Sequence, residues 1–272
     1  MTRLAAARAC AMAALVLAGA AAGTAPAGAQ SPTSTRAAAD ARRSGFDDMS
    51  PQTQAMQRDD TQNPAMLFVA DGEALWRRPA GGEGKSCAAC HAEATTSMRG
   101  VGARYPAFDA PLARPVTLGE RINLCRARRQ KAEAWRLESA ELLALEAYVA
   151  LQSRGLPMAP SDDPRLAPFR ARGEARYRQR IGQLDLACAQ CHDALAGRRL
   201  GGSVIPQAHP TGYPIYRLEW QALGSLQRRL RGCYGGVRAE PPPYGALDLV
   251  ELELYLATRA AGMTVESPAV RP

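Results

Sequence analysis

A mostly α-helical chain, built as two tandem copies of one helical unit, is what this 272-residue sequence predicts, and three observations lead there. The first is a pair of cysteine–histidine motifs, Cys87-Ala88-Ala89-Cys90-His91 and Cys188-Ala189-Gln190-Cys191-His192, one in each half. The second is the repeated lead-in: Gly72-Glu73-Ala74-Leu75-Trp76 precedes the first motif by the same interval at which Gly173-Glu174-Ala175-Arg176-Tyr177 precedes the second. The third is the repeated ending, where Leu145-Glu146-Ala147-Tyr148-Val149-Ala150 matches Leu252-Glu253-Leu254-Tyr255-Leu256-Ala257. Each half therefore runs helix, Cys-His motif, variable loops and closing amphipathic helix, with the Leu and Tyr stripes of the closing helices read as core.

Both motifs read C-x-x-C-H. Two thiols at that spacing can form thioether bonds to the two vinyl groups of one haem, and the adjacent histidine gives the iron its proximal nitrogen. Zinc would need four ligands per site from a chain with three histidines, and a redox dithiol does not require the trailing histidine. The reading is two covalently bound c-type haems, attached at Cys87 and Cys90 and at Cys188 and Cys191, with iron held by His91 and His192. The fold class follows as two tandem cytochrome c-like domains related by internal duplication.

The start of the chain sets the compartment. Arg3 and Arg8 form a short basic segment, Ala11 to Ala22 is an apolar run too short to span a bilayer, and Ala27-Gly28-Ala29 offers small residues for cleavage. Residues 1–29 are read as a secretory signal, leaving a mature chain from near Gln30 that is exported and not held in a membrane. The formal charge of +8 falls to +6 without Arg3 and Arg8, since no acid precedes Gln30. Outside the cytoplasm this excess does not point to nucleic acid; it favours anionic substrates or acidic partners, and haem propionates offset part of it. Residues 30–55, rich in Ala, Arg, Ser and Thr, read as a mobile or surface-wrapping extension. The first domain follows over 56–155, a Pro- and Gly-rich linker over 156–165, and the second domain over 166–265.

With Cys10 lost in the signal, six of seven cysteines remain, and four belong to the motifs. Cys125 and Cys233 occupy corresponding places, and each haem needs a sixth ligand. Methionine or histidine usually fills that position in electron carriers. His209 is the one spare histidine, however, and no methionine lies between His192 and the last helix. Cysteine ligation on both sides is the favoured reading; a Cys125–Cys233 disulfide and ligation by His209 remain open alternatives. Around Cys233, Leu218, Ala222, Leu226 and Leu230 recur every fourth residue, so 217–230 reads as an amphipathic helix. Arg229 falls one turn before Cys233, with Arg228 and Arg231 nearby. Such a field lowers a thiol pKa and can hold a sulfur oxyanion. Gly232, Gly235 and Gly236 would let substrate approach. Arg121 stands in the same relation to Cys125, so part of this arrangement belongs to the repeated scaffold.

Met56-Gln57-Arg58-Asp59-Asp60-Thr61-Gln62-Asn63-Pro64, Gly72-Glu73-Ala74-Leu75-Trp76, Ile122-Asn123-Leu124-Cys125-Arg126 and Arg217-Leu218-Glu219-Trp220-Gln221 resemble the SoxA family. SoxA is the dihaem subunit of the periplasmic SoxAX cytochrome of thiosulfate oxidation. The resemblance implies an L-cysteine S-thiosulfotransferase, which joins thiosulfate oxidatively to a cysteine of the carrier SoxY as the catalytic subunit of a heterodimer with the cytochrome SoxX. It implies His91 and Cys125 as ligands of the first iron and His192 and Cys233 as ligands of the second. It also implies Cys233 as the catalytic cysteine, carried as a persulfide, and Arg229 as the substrate-binding residue. A periplasmic dihaem electron carrier without substrate chemistry, and a thiosulfate dehydrogenase forming tetrathionate, are the alternative readings. A peroxidase fits less well, with one spare histidine for distal ligation.

Overall fold

The computed structural model describes residues 41–272, and residues 42–272 form one compact unit. The signal expected over 1–29, and with it Cys10, lies outside the described residues, as does 30–40. The first half carries α1 (Pro51–Arg58), α2 (Ala65–Arg77), α3 (Cys87–His91), α4 (Ala94–Ser97), the hairpin β1 (Ala107–Asp109) and β2 (Arg114–Val116), α5 (Leu118–Cys125) and α6 (Ala140–Leu151). The second half carries α7 (Ala167–Arg178), a π-helical turn over Gln190–Ala194, the short pair β3 (Arg199–Leu200) and β4 (Ser203–Val204), the hairpin β5 (Ile215–Arg217) and β6 (Ala222–Gly224), α8 (Leu226–Gly236) and α9 (Leu247–Arg259). β7 (Ala269–Arg271) closes the chain, pairing parallel to β5 in a three-stranded sheet ordered β6-β5-β7.

Each half is organised by one helix crossing, α2 on α6 and α7 on α9. At the centre of each crossing is a glycine without room for a side chain. A Cβ on Gly72 would stand 2.1 Å from the Ala144 carbonyl oxygen, and one on Gly173 would stand 2.0 Å from that of Glu251. Backbone therefore lies directly on backbone, which only glycine permits. Around the first crossing Trp76, Leu143, Leu145 and Tyr148 are buried; around the second, Tyr177, Leu249, Leu252, Tyr255 and Leu256.

The two halves exchange their hairpins. Leu223 of β6 is buried in the core of the first half, where Tyr216 packs beside it 6.0 Å from the Phe68 ring. Reciprocally, β2 packs on α9, and Phe108 of β1 meets Phe169 at 6.4 Å and carries the Arg165 guanidinium 4.2 Å above its ring. Each hairpin then turns into a capped helix. Thr117 accepts from Glu120 N while the Glu120 carboxylate accepts from Thr117 N, a reciprocal capping box for α5. Ser225 accepts from Arg228 N at the start of α8.

This corrects the helix expected over 217–230. Residues 215–217 and 222–224 are antiparallel strands joined through Gln221, whose φ is +48°, and helix begins only after Ser225. The four-residue recurrence misleads because Leu218 and Ala222 fall on the hairpin by coincidence of spacing. Where the sequence suggested a mobile or wrapping segment over 30–55, its described part is anchored. Arg42 donates to the carbonyls of Arg259 and Ala261, and Gln54 Nε2 donates to the Phe46 carbonyl. Just beyond it, Gln57 accepts from Val270 N of β7. The 156–165 segment is held as well, with Met158 N donating to Met263 O and Gly262 N to Met158 O, both at 2.7 Å.

Where the halves meet, a cavity is lined by Tyr105, Tyr213, Glu138, Glu146 and Glu253 among others. Burial pushes the Glu146 and Glu253 carboxyls up to about 8; the Glu138 charge adds to the rise at Glu146, and the charges of Glu146, Glu120 and Glu138 add to it at Glu253. Glu253 Oε1 is closed off from solvent with no hydrogen-bond partner among the described residues. Both acids are therefore neutral in the folded protein near pH 7.

Two outcomes are expected. Gly72→Ala and Gly173→Ala each lower stability by about 1–3 kcal/mol or more, against the helix-propensity gain of alanine, as read by denaturant melts. The contribution of these two acids to stability is full below pH 4.5, the ordinary carboxyl value, where both states hold these protons, and falls as pH rises toward about 8, because the unfolded chain releases protons the folded one keeps. The slope approaches about 1.4 kcal/mol per pH unit for each proton. Glu253→Gln, which removes one titration, flattens that fall in melts run across the range.

Candidate functional site

The first Cys-His motif is the single helix α3. Ser86 caps it by accepting from Ala89 N, which places Cys87 and Cys90 one turn apart with His91 at its end. The chain turns sharply after the histidine, with Ala92 at φ +55°. Trp76 Nε1 donates to the Ala92 carbonyl at 3.0 Å, and its ring lies 5.8 Å from that of His91. The second motif is built on the same plan. Tyr177, the counterpart of Trp76, donates from its hydroxyl to the Asp193 carboxylate at 2.8 Å, which fastens the residue after His192.

His192 is the better defined of the two histidines. Its Nδ1 lies 2.7 Å from the Pro206 carbonyl oxygen, so Nδ1 carries the proton and Nε2 is left for a metal. Burial depresses the imidazole pKa, and the Arg229 charge adds to that, so the ring is neutral as ligation requires.

All six described cysteines are free thiols, which excludes the Cys125–Cys233 disulfide in this structure. Each extra cysteine instead lies against its own motif. Cys125 ends α5 within electrostatic range of Cys87 and Cys90, and Cys233 sits in α8 within range of Cys188. Burial raises the Cys87 thiol and pushes the Cys188 thiol up to about 11, opposite to what a nucleophilic dithiol needs. Two thiols one turn apart, a neutral histidine beside them and a further thiol facing the same space suit a c-type haem at each motif. His209 is placed elsewhere, its Nδ1 2.8 Å from the Arg43 carbonyl oxygen.

The helix carrying Cys233 persists to Gly236, so Arg229 and Cys233 share one face a turn apart. The other two arginines are engaged away from the thiol. Arg228 stacks 4.1 Å over Trp220 and donates to the Leu223 carbonyl, while Arg231 donates to the carbonyls of Pro241 and Pro242 and lies 4.6 Å over Tyr244. An added Cβ at Gly232, Gly235 or Gly236 would meet nothing within 4 Å, so that end of α8 is open. The sequence reading missed Tyr213, which lies within electrostatic range of both Arg229 and Cys233, and Arg217, which lies within electrostatic range of Arg229. In the first half Tyr105 stands in the same relation to Arg121 and Cys125. The repeated Tyr-Pro before each hairpin was the available signal.

A helix crossing beside a C-x-x-C-H turn defines a c-type cytochrome. Comparison with known proteins narrows this. The SoxA/TsdA cytochrome c domain is matched over residues 71–158. The L-cysteine S-thiosulfotransferase subunit SoxA of Pseudaminobacter salicylatoxidans is 37% identical over 247 residues, covering 88% of this chain and 86% of that one. The protein of the same name from Rhodovulum sulfidophilum is 37% identical, covering 84% and 80%. In three dimensions the chain is similar to one in the crystal structure of SoxXA from P. pantotrophus, with a TM-score of 0.81, 34% identity and coverage of 85% and 87%. The chain belongs to the SoxA family.

Proposed function

We propose that this chain is the catalytic subunit of an L-cysteine S-thiosulfotransferase, joining thiosulfate to a cysteine of a SoxY-like carrier protein. The observation that carries the reading is Cys233 on one face of α8 with Arg229, against the second Cys-His motif. The names of the SoxA relatives point the same way.

The chemistry balances as an oxidative bond formation. A carrier thiol loses its proton, its sulfur bonds to the outer sulfur of thiosulfate, and two electrons leave for each S-thiosulfonate formed. When bound, haem supplies the acceptor for those electrons. The Arg229 guanidinium holds the sulfonate end by charge-assisted hydrogen bonds, and the Cys233 sulfur is the group toward which the substrate is directed. The open glycine end of α8 leaves room for a carrier cysteine to reach it.

Two haems fit the two motifs, the first attached through Cys87 and Cys90 with His91 and Cys125 on iron, the second through Cys188 and Cys191 with His192 and Cys233. The matched crossings, aromatic anchors, hairpins and capped helices support an internal duplication into domains over 56–155 and 166–265, joined by 156–165. A SoxX-like cytochrome is the proposed partner, in keeping with the solved relative's being SoxXA. Export to the periplasm rests on the basic, Ala-rich start of the sequence. Among the described residues no helix is long and apolar enough to cross a membrane.

Intact mass of protein matured with haem-attachment machinery is expected to show two haem additions, and Cys188→Ala combined with Cys191→Ala to show one. A single addition in the unaltered chain would refute the two-haem reading. Cys233→Ala is expected to lower thiosulfate conjugation to the carrier at least ~100-fold with both haems retained. Full activity in that variant would return the chain to a plain electron carrier.

A further inference from the structure

The hairpin and capped helix of the two halves correspond residue by residue. Tyr105, Thr117, Arg121 and Cys125 recur as Tyr213, Ser225, Arg229 and Cys233, and strands β1 and β2 recur as β5 and β6 in the same register. The charge inverts at two positions: Glu120 gives way to Arg228, which is engaged with Trp220 and the Leu223 carbonyl, and Asp109 gives way to an arginine without a carbonyl acceptor of that kind. Asp109 ends β1 with its side chain 1% exposed, and binds Arg121 at 2.8 Å and Arg128 at 3.3 Å. Its counterpart at the end of β5 is Arg217.

The consequence is two arginines where the first half has a neutralised pair. Arg229 makes no ion pair among the described residues. Arg217 has its side chain 14% exposed, and its one acid partner is Glu219 at 3.2 Å, itself 54% exposed. The Nε of Arg217 is buried and has no acceptor among the described residues. The matched register puts Arg217 where Asp109 reaches Arg121 in the first half, and burial, followed by the nearby Arg229 charge, depresses the Arg217 pKa. Arg271, across β7 from Arg217, is already paired with Glu266. A buried guanidinium with an unused donor, near a second unpaired one, lacks an anion.

We propose that Arg217 is a second anion-binding residue of the Cys233 site, completing with Arg229 a two-arginine cradle for a doubly charged sulfur oxyanion, and that Asp109 in the equivalent place closes the Cys125 site to such anions. This rests on the thiosulfotransferase reading of Cys233. Two guanidiniums suit the two negative charges of thiosulfate and supply several N–H donors to its sulfonate oxygens. In the first half the Asp109 carboxylate occupies those donors itself and repels an incoming dianion.

The test is steady-state kinetics with the haem-loaded heterodimer, a thiosulfate series and the carrier protein. Arg217→Gln is expected to raise KM for thiosulfate by about 10- to 100-fold, the loss of one charged hydrogen-bonding partner, with kcat within about threefold. Haem content, absorption spectrum and reduction potentials stay unchanged. Arg217→Lys, which keeps the charge and loses the fork, recovers part of the KM. If Arg217→Gln fails to mature, Arg217→Lys alone decides, with KM raised about threefold or more as the supporting result. An unchanged KM overturns the proposal. So does a shifted spectrum or potential with KM intact, which would assign Arg217 to a haem propionate. Either result leaves the function standing if Cys233→Ala is inactive; an active Cys233→Ala removes the function itself.

Discussion

The structure depends on two places where helix backbone rests on helix backbone. Gly72 against Ala144 and Gly173 against Glu251 allow no Cβ, and each fixes how deeply an entry helix sinks into its closing helix. One turn further along, that depth sets the height of Trp76 and Tyr177. Those two aromatic residues then hold the residue that follows each motif histidine, through the Ala92 carbonyl in one half and the Asp193 carboxylate in the other. The orientation of the histidines is thus transmitted from a steric contact of two glycines. A wider crossing would move the aromatic anchor and release the turn that presents the iron ligand.

A second unit, hairpin followed by capped helix, delivers the other side of each site. Its position is not fixed within its own half. Leu223 and Tyr216 of the second hairpin pack into the first core, and β2 of the first hairpin packs on α9. Cys233 therefore reaches the second motif on a scaffold braced by the first half, and Cys125 reaches its motif on one braced by the second. This reciprocity makes residues 42–272 a single unit even though each half has its own helix crossing. It also gives the first half a structural reason to persist whatever its share in turnover.

The entry and closing helices and both Cys-His motifs were legible in the sequence, because they rest on spacing that repeats. Gly72 and Gly173 were visible as parts of a repeated segment, although their role at the crossing required coordinates. The hairpins were not legible. Each strand has three residues, too few to show alternation, and Leu218, Ala222, Leu226 and Leu230 imitate a helix across one of them. That misreading had a cost at the site. With 217–230 taken as one helix, Arg217 fell away from Cys233 and could not be set beside Asp109. β7 was also missed, since its three residues acquire meaning only from their partner strand β5.

Charge placement explains how a positive site survives next to so many acids. Glu146 and Glu253 lie in the cavity between the halves, where an ionised carboxylate would draw on the arginine field of the second site. Burial keeps both protonated near neutral pH, so they fill space without contributing charge. Glu251, only 1% exposed in its side chain, is instead held by Arg172 and Arg176 on the outer side of the crossing. The acids nearest the core are thus either neutral or spent on arginines outside the site. What remains beside Cys233 is Arg229 without an acid partner and Arg217 with an exposed one, a local excess of positive charge that a dianion can neutralise.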